Sequence, residues 1–235
     1  MNPVVRSVIN AIIENSEEKI RISSFRFFKE EVNVRGVGSA MVTEIARDYF
    51  REISSLPKQE IFSLCEELFG TGYLEDSFVA CNWSYRIHKT YESGDFAVFE
   101  SWVGRYVSNW ATCDTLCNHS VGTLVEMYPS KIQDLKKMAH SPGRWMRRAS
   151  AVSLIVPARK GLFLDDIFEI AGILLRDSDD MVRKGYGWML KAASQAHQKE
   201  VFDFVYGNRA EMPRTALRYA IEKMPPELKK LAMAR

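Results

Sequence analysis

Residues 141–154 read SPGRWMRRASAVSL, and residues 177–190 read DSDDMVRKGYGWML. Laid over one another at a shift of 36, they place Arg148 over Lys184, Ala149 over Gly185 and Leu154 over Leu190. A shift of 35 places Trp110 over Trp145, so that SNWATCDTLC at 108–117 begins an earlier copy. In each copy a turn rich in Ser, Pro, Gly or Asp precedes a run with helical period. The D-x-M-V-R pattern at Asp179–Arg183 opens such a helix after an acidic turn. A unit of this length falls just below the usual HEAT/armadillo range. Units of this kind bury their apolar faces by stacking, which yields a solenoid with one helix of each pair along a concave side.

The rest of the chain has the same texture. Val4, Val8 and Ile12 recur at helical steps, as do Ile61, Leu64 and Leu68, and Ile167, Ile170, Ile173 and Leu174. No useful length alternates as a strand would. Short breaks such as Ser54-Ser55-Leu56-Pro57, Gly70-Thr71-Gly72, Ser93-Gly94-Asp95 and Asp177-Ser178-Asp179-Asp180 carry cap and turn residues. The expected fold is therefore all-α, a HEAT-like or armadillo-type helical repeat solenoid spanning 1–235 as a single domain.

Hydrophobic residues at 46% and charged residues at 26% of 235 describe a globular chain able to bury a sizeable core. No apolar run is long enough to span a membrane, and no export signal is evident at the N-terminus. Four cysteines without the dense spacing of a disulfide framework suit a reducing cytoplasm. The net charge of +2 is unevenly spread: residues 1–129 carry 12 Lys and Arg against 18 Asp and Glu, whereas residues 130–235 carry 20 against 12. Such asymmetry points to a polyanion on the C-terminal half and predicts a positively charged concave face; two solvated faces of opposite sign are the plainer alternative.

Several chemistries find little support. Cys113 and Cys117 share a helix face and His119 follows, but zinc usually takes two ligand pairs from separate segments, and no second pair is present. No motif joins a cysteine to a histidine and a carboxylate, and no Gly-rich phosphate loop occurs. Neither metal nor organic cofactor is expected. What remains is a set of aromatics, arginines and one carboxylate. Trp110 and Asp114 are four apart and share a helix face, and Arg148 and Trp188 fall on later copies. Aromatic faces attract cations and stack on sugars or bases, and arginine forks match phosphate oxygens. Each residue also has a structural alternative. Asp114 suits a helix dipole, the tryptophans suit a core, and Arg148 and Arg183 fall where repeat proteins often brace the next repeat.

On these residues the chain resembles the AlkD-type DNA alkylation repair glycosylases, from about Arg26 to Ile221. The W-x-x-x-D element of that family matches Trp110–Asp114, and W-x-x-R-A matches Trp145–Ala149. G-W-x-L-[RK] matches Gly187–Lys191, and R-x-A-x-[RK] matches Arg214–Arg218. The resemblance implies excision of positively charged N3- or N7-alkylated purines from double-stranded DNA, without the usual extrusion of the base. Asp114 would sit near the C1′ carbon, Trp110 and Trp188 against the deoxyribose, and Arg148 on phosphate. Phe27, Arg35, Arg147, Lys184, Lys191, Arg214 and Arg218 become candidate DNA contacts. A cytoplasmic monomer with no obligate protein partner, at the nucleoid during repair, is expected. Ala111 stands where the family often has a second carboxylate, Phe27 where a tyrosine is common, and Asn109 where another tryptophan can occur. Two rivals accompany this reading: a DNA-binding repeat protein that recognises damaged or branched DNA without hydrolysis, and a helical-repeat scaffold for protein partners.

Overall fold

A computed structural model describes residues 1–234. They are helical almost throughout, and the extended pairing among them is an isolated bridge between Asn33 and Tyr73. Contacts divide the chain into two compact units, the first ending at Leu116 and the second beginning at Cys117.

The first unit contains α1 (Pro3–Glu14), α2 (Glu18–Ser24), a 3-10 turn (Phe25–Phe27), α3 (Ser39–Ile53), α4 (Lys58–Gly70), α5 (Leu74–Arg86), α6 (Asp95–Tyr106) and α7 (Trp110–Leu116). The side chain of Asn2 accepts the Val4 N–H at 2.9 Å, and Pro3 occupies the first helical position, so both devices that favour a helix start meet at α1. This helix buries Val5, Val8, Ile9 and Ile12, a stripe that takes in two of the residues expected from the periodicity and leaves Val4 partly exposed. Helices α3, α5 and α7 pack in sequence, and α4 packs on α5 and α6. The buried Trp83 of α5 donates its indole N–H to the Ala46 carbonyl of α3 at 2.8 Å. Phe62, Phe69, Phe99 and Trp102 form an aromatic cluster with ring centroids 5.2–5.6 Å apart, the edge and tilted arrangements favoured by ring quadrupoles.

In the second unit a π-helical stretch (Cys117–Val121) leads into α8 (Gly122–Met127), α9 (Ile132–Ala139), α10 (Arg144–Val152), α11 (Ile155–Arg159), α12 (Leu164–Ile173), α13 (Asp180–Ala193), α14 (Gln198–Asn208), α15 (Arg214–Ala220) and α16 (Pro226–Met233). Helix α13 packs between α10 and α15, while α12 packs on α9 and α14 on α16. Asp179 caps α13, accepting the N–H groups of Met181 and Val182 at 2.8 and 3.3 Å.

Helices α3, α5, α7, α10, α13 and α15 begin at Ser39, Leu74, Trp110, Arg144, Asp180 and Arg214, at intervals of 34–36 residues. The shift of 36 between residues 141–154 and 177–190 is therefore one step of an all-α helical repeat. Trp110 opens α7 while Trp145 is the second residue of α10, so those two tryptophans lie one position out of register.

Ion pairs between residues one repeat apart engage several basic residues of the second unit. Lys136 reaches Asp166 at 2.9 Å and Glu169 at 2.5 Å, Lys160 reaches Glu126 at 2.7 Å, and Arg176 reaches Glu211 at 2.7 Å. Close helix approach completes the packing. A Cβ on Gly187 would stand 2.8 Å from both the Ala216 carbonyl oxygen and the Tyr219 Cβ of α15. Gly187→Ala should therefore cost about 1–2 kcal/mol despite the better helix propensity of alanine, because backbone must move to admit the methyl. Chemical denaturation would check this, and a stability gain would refute the close approach.

Candidate nucleic-acid interface

The site begins with the start of α7. Asn109, buried, turns its side-chain oxygen onto the Thr112 N–H at 2.9 Å and so caps the helix. That fixes Trp110 as the first helical residue and Asp114 in the second turn, and α7 has no acid in its first turn. The start of α7 is thus capped by Asn109. Asp114 is 7% exposed and Trp110 is half-buried, one turn apart on the same helix. The Thr112 hydroxyl oxygen is buried and has no hydrogen-bond partner among the described residues.

Trp110 is gripped from one side. Its indole N–H donates to the Phe27 carbonyl at 3.2 Å, and its ring stacks on Phe28 with centroids 5.6 Å apart and planes 26° from parallel. Both belong to an apolar cluster with Val32, Val34, Leu74, Ala111 and Phe78. The cluster also explains Ala111: its methyl faces Val32, Val34 and Leu74, where a carboxylate would be desolvated among apolar side chains. Phe27 itself points outward, 71% exposed. Of the expected contacts in this unit, Arg35 is engaged within the protein. It forms a two-pronged pair with the fully buried Asp76 at 2.8 and 2.7 Å and lies 3.8 Å from the centroid of Tyr73.

In the second unit Trp188 is half-buried on α13, and among the described residues no hydrogen bond or ring contact engages its indole. Arg148, expected on phosphate, is only 5% exposed. Its guanidinium donates to the Met181 carbonyl in the first turn of α13, and its stem lies against Gly185, where a Cβ would meet Arg148 Cγ at 3.3 Å. Arg147 is equally occupied, with Asp177 at 2.6 and 3.3 Å and with the Ser141 and Pro142 carbonyls at 3.0 and 2.8 Å. Arg183 donates to the Asp177 carbonyl at 2.6 Å. Arginines of two helices thus fix the turn that opens α13.

The remaining candidates are held less tightly. Lys184 pairs with Asp180 at 2.8 Å one turn back along α13. Lys191 reaches Glu222 at 2.8 Å and lies over the Tyr219 ring, and its hydrogen bond holds the Glu222 carboxyl below the ordinary carboxylate range. Arg214 is exposed and donates to the Met233 carbonyl at 3.3 Å. Arg218 is exposed and makes no hydrogen bond or ion pair with the described residues. The sequence gives no sign of the Phe28 stack or of the buried carboxylates Glu75 and Asp76, because each depends on contacts made far along the chain. Among the described residues no group of three or more His, Cys, Asp and Glu gathers as metal ligands would, and the four cysteines are buried as thiols. No helix of the described residues is long and apolar enough to cross a membrane.

Comparison with known proteins gives the family and the fold. Residues 8–224 match the family model described as DNA alkylation repair enzyme, and the chain belongs to that family. The family supports a role in alkylation repair, with DNA as the substrate. No curated protein matches the sequence. A solved structure described as a predicted DNA alkylation repair enzyme from Enterococcus faecalis shares the fold. Its TM-score is 0.81 over 90% of this chain and 98% of that one, at 13% identity.

Proposed function

We propose that the protein is a DNA glycosylase that hydrolyses the N-glycosidic bond of positively charged N3- or N7-alkylated purines in double-stranded DNA, acting in base excision repair through a HEAT-like repeat scaffold. The observation that carries this reading is the pairing, one turn apart on α7, of a sheltered carboxylate and a half-exposed indole, Asp114 and Trp110. An alkylated purine with a formal positive charge leaves as a neutral base, taking the bonding pair of the C1′–N bond, and needs no prior protonation. Positive charge then develops on the sugar as an oxocarbenium. A carboxylate in a partly desolvated position stabilises that charge more than it would in water, and an electron-rich ring face adds to it. Water adds to C1′, and Asp114 orients it or accepts its proton.

Trp188 takes a similar part on the second unit, and its indole has no competing ring contact or hydrogen bond among the described residues. In this reading the phosphate contact expected for Arg148 gives way to positioning: the arginine fixes the first turn of the helix that carries Trp188. Phosphate contacts fall instead to Arg218, Arg214, Lys184 and Lys191, with Phe27 as an exposed aromatic contact. Binding to duplex DNA should weaken steeply with salt as counterions are released, whereas a scaffold for proteins would show no such slope. Glu222→Gln frees Lys191 from its acidic partner and should steepen the log–log salt slope by about one unit. An unchanged slope in a filter-binding titration would remove Lys191 from the DNA contacts. Free-base release from duplex DNA containing 7-methylguanine tests the reading as a whole.

A further inference from the structure

Glu75 and Asp76, the second and third residues of α5, are 3% and 0% exposed, and the sequence motifs give neither of them a part. Burying two adjacent carboxylates is costly unless each is fully engaged, and here both are engaged by one short segment. Glu75 accepts the backbone N–H groups of Arg35, Gly36 and Val37 at 2.9, 2.8 and 3.1 Å. Asp76 holds the Arg35 guanidinium through both oxygens and also accepts the Thr71 hydroxyl at 2.7 Å. The Leu74 N–H adds a bond to the Asn33 carbonyl at 2.9 Å. Residues 33–37 are thereby fastened to the start of α5.

That segment leads directly to Trp110. Val32 and Val34 belong to the apolar cluster against which Phe28 and Trp110 pack, and the Phe27 carbonyl receives the indole N–H. At its other end the Gly36 carbonyl accepts the Glu17 N–H at 2.8 Å just before α2. Gly36 has a φ of +92°, and a Cβ there would stand 2.7 Å from the Glu17 carbonyl oxygen, so the strap closes on α2 only with glycine. We infer that Glu75 and Asp76 are positioning residues for Trp110: they fix the strap of residues 27–37, and the strap sets the plane of the indole. The effect on catalysis rests on the glycosylase reading above; the effect on the indole does not.

The test is fluorine NMR of the full chain labelled with 5-fluorotryptophan, with Trp110→Phe identifying the resonance of that indole. In Glu75→Gln the Trp110 resonance should shift or broaden while those of Trp83 and Trp102 hold. Single-turnover excision should fall about tenfold through misplacement of the ring. Added to Trp110→Phe, Glu75→Gln should then change excision by less than about twofold, since residues acting through one another are not additive. A Trp110 resonance that stays put, or tryptophan resonances that all move together, would overturn the inference, as would additive losses. If Glu75→Gln does not fold, Arg35→Lys serves in its place, keeping the charge and losing the fork; the same shift supports the inference and its absence overturns it. A Trp110 resonance that moves in a protein whose wild type releases no base would uphold the positioning and refute the glycosylase.

Discussion

Asp114→Asn is expected to slow the release of an alkylated purine by roughly ten- to a thousandfold while leaving duplex affinity within about twofold, the loss typical of removing one electrostatic stabiliser from a transition state. The substitution is nearly isosteric, so the packing around a side chain with 7% exposure is retained and only the charge is lost. The second turn of α7 is the reason to expect a change in chemistry and not in folding. Asn109 accepts the Thr112 N–H and caps the helix start, and an amide at position 114 keeps the size and polarity of the acid. Single-turnover excision with enzyme in excess separates the two quantities, because the rate at saturation reports the chemical step and the concentration dependence reports binding. A variant that folds, binds and excises at the wild-type rate would remove Asp114 from the mechanism.

Arg148→Ala is expected to lower stability by about 2–3 kcal/mol, from an unsatisfied Met181 carbonyl and lost packing of the arginine stem on Gly185. In a chain of 235 residues that is a fall of roughly 5–10 °C in Tm. The salt slope of DNA binding should stay as it is. A direct phosphate contact predicts the reverse, a slope flatter by about one unit with little change in Tm. Arg148→Lys should recover only part of the stability, since one ammonium cannot reproduce the planar fork. Thermal melting and a salt titration on the same preparations decide between brace and phosphate contact.

The fold was legible in the sequence wherever local chemistry repeats. The D-x-M-V-R pattern at Asp179–Arg183, the turn before α10 and the recurrence of Trp110 at Trp145 are all local signals, and they marked the steps from α7 to α10 and from α10 to α13. The other steps escaped because their regularity lies in where helices begin, at Ser39, Leu74 or Arg214, and not in which residues begin them. Stacking needs an apolar face and a small residue at the close approach, and many residues satisfy that. The Trp110–Asp114 pairing was readable because four residues make one helical turn. Charge was the weaker guide: Lys136, Lys160 and Arg176 look alike in composition to Arg218, yet the first three join one repeat to the next. Arg35 was unreadable for the same reason, since its partner Asp76 lies 41 residues on, in another helix. Pairing across repeats is set by packing, which a linear sequence shows only after the fold is known.

The measurement that bears most directly on the central claim is release of free 7-methylguanine from duplex DNA, made on the wild type and Asp114→Asn together. Release by the wild type with a large loss in the variant is the expected result. Tight, salt-dependent duplex binding by both proteins with no base released by either would contradict it, and would leave a repeat protein that recognises DNA without hydrolysing it.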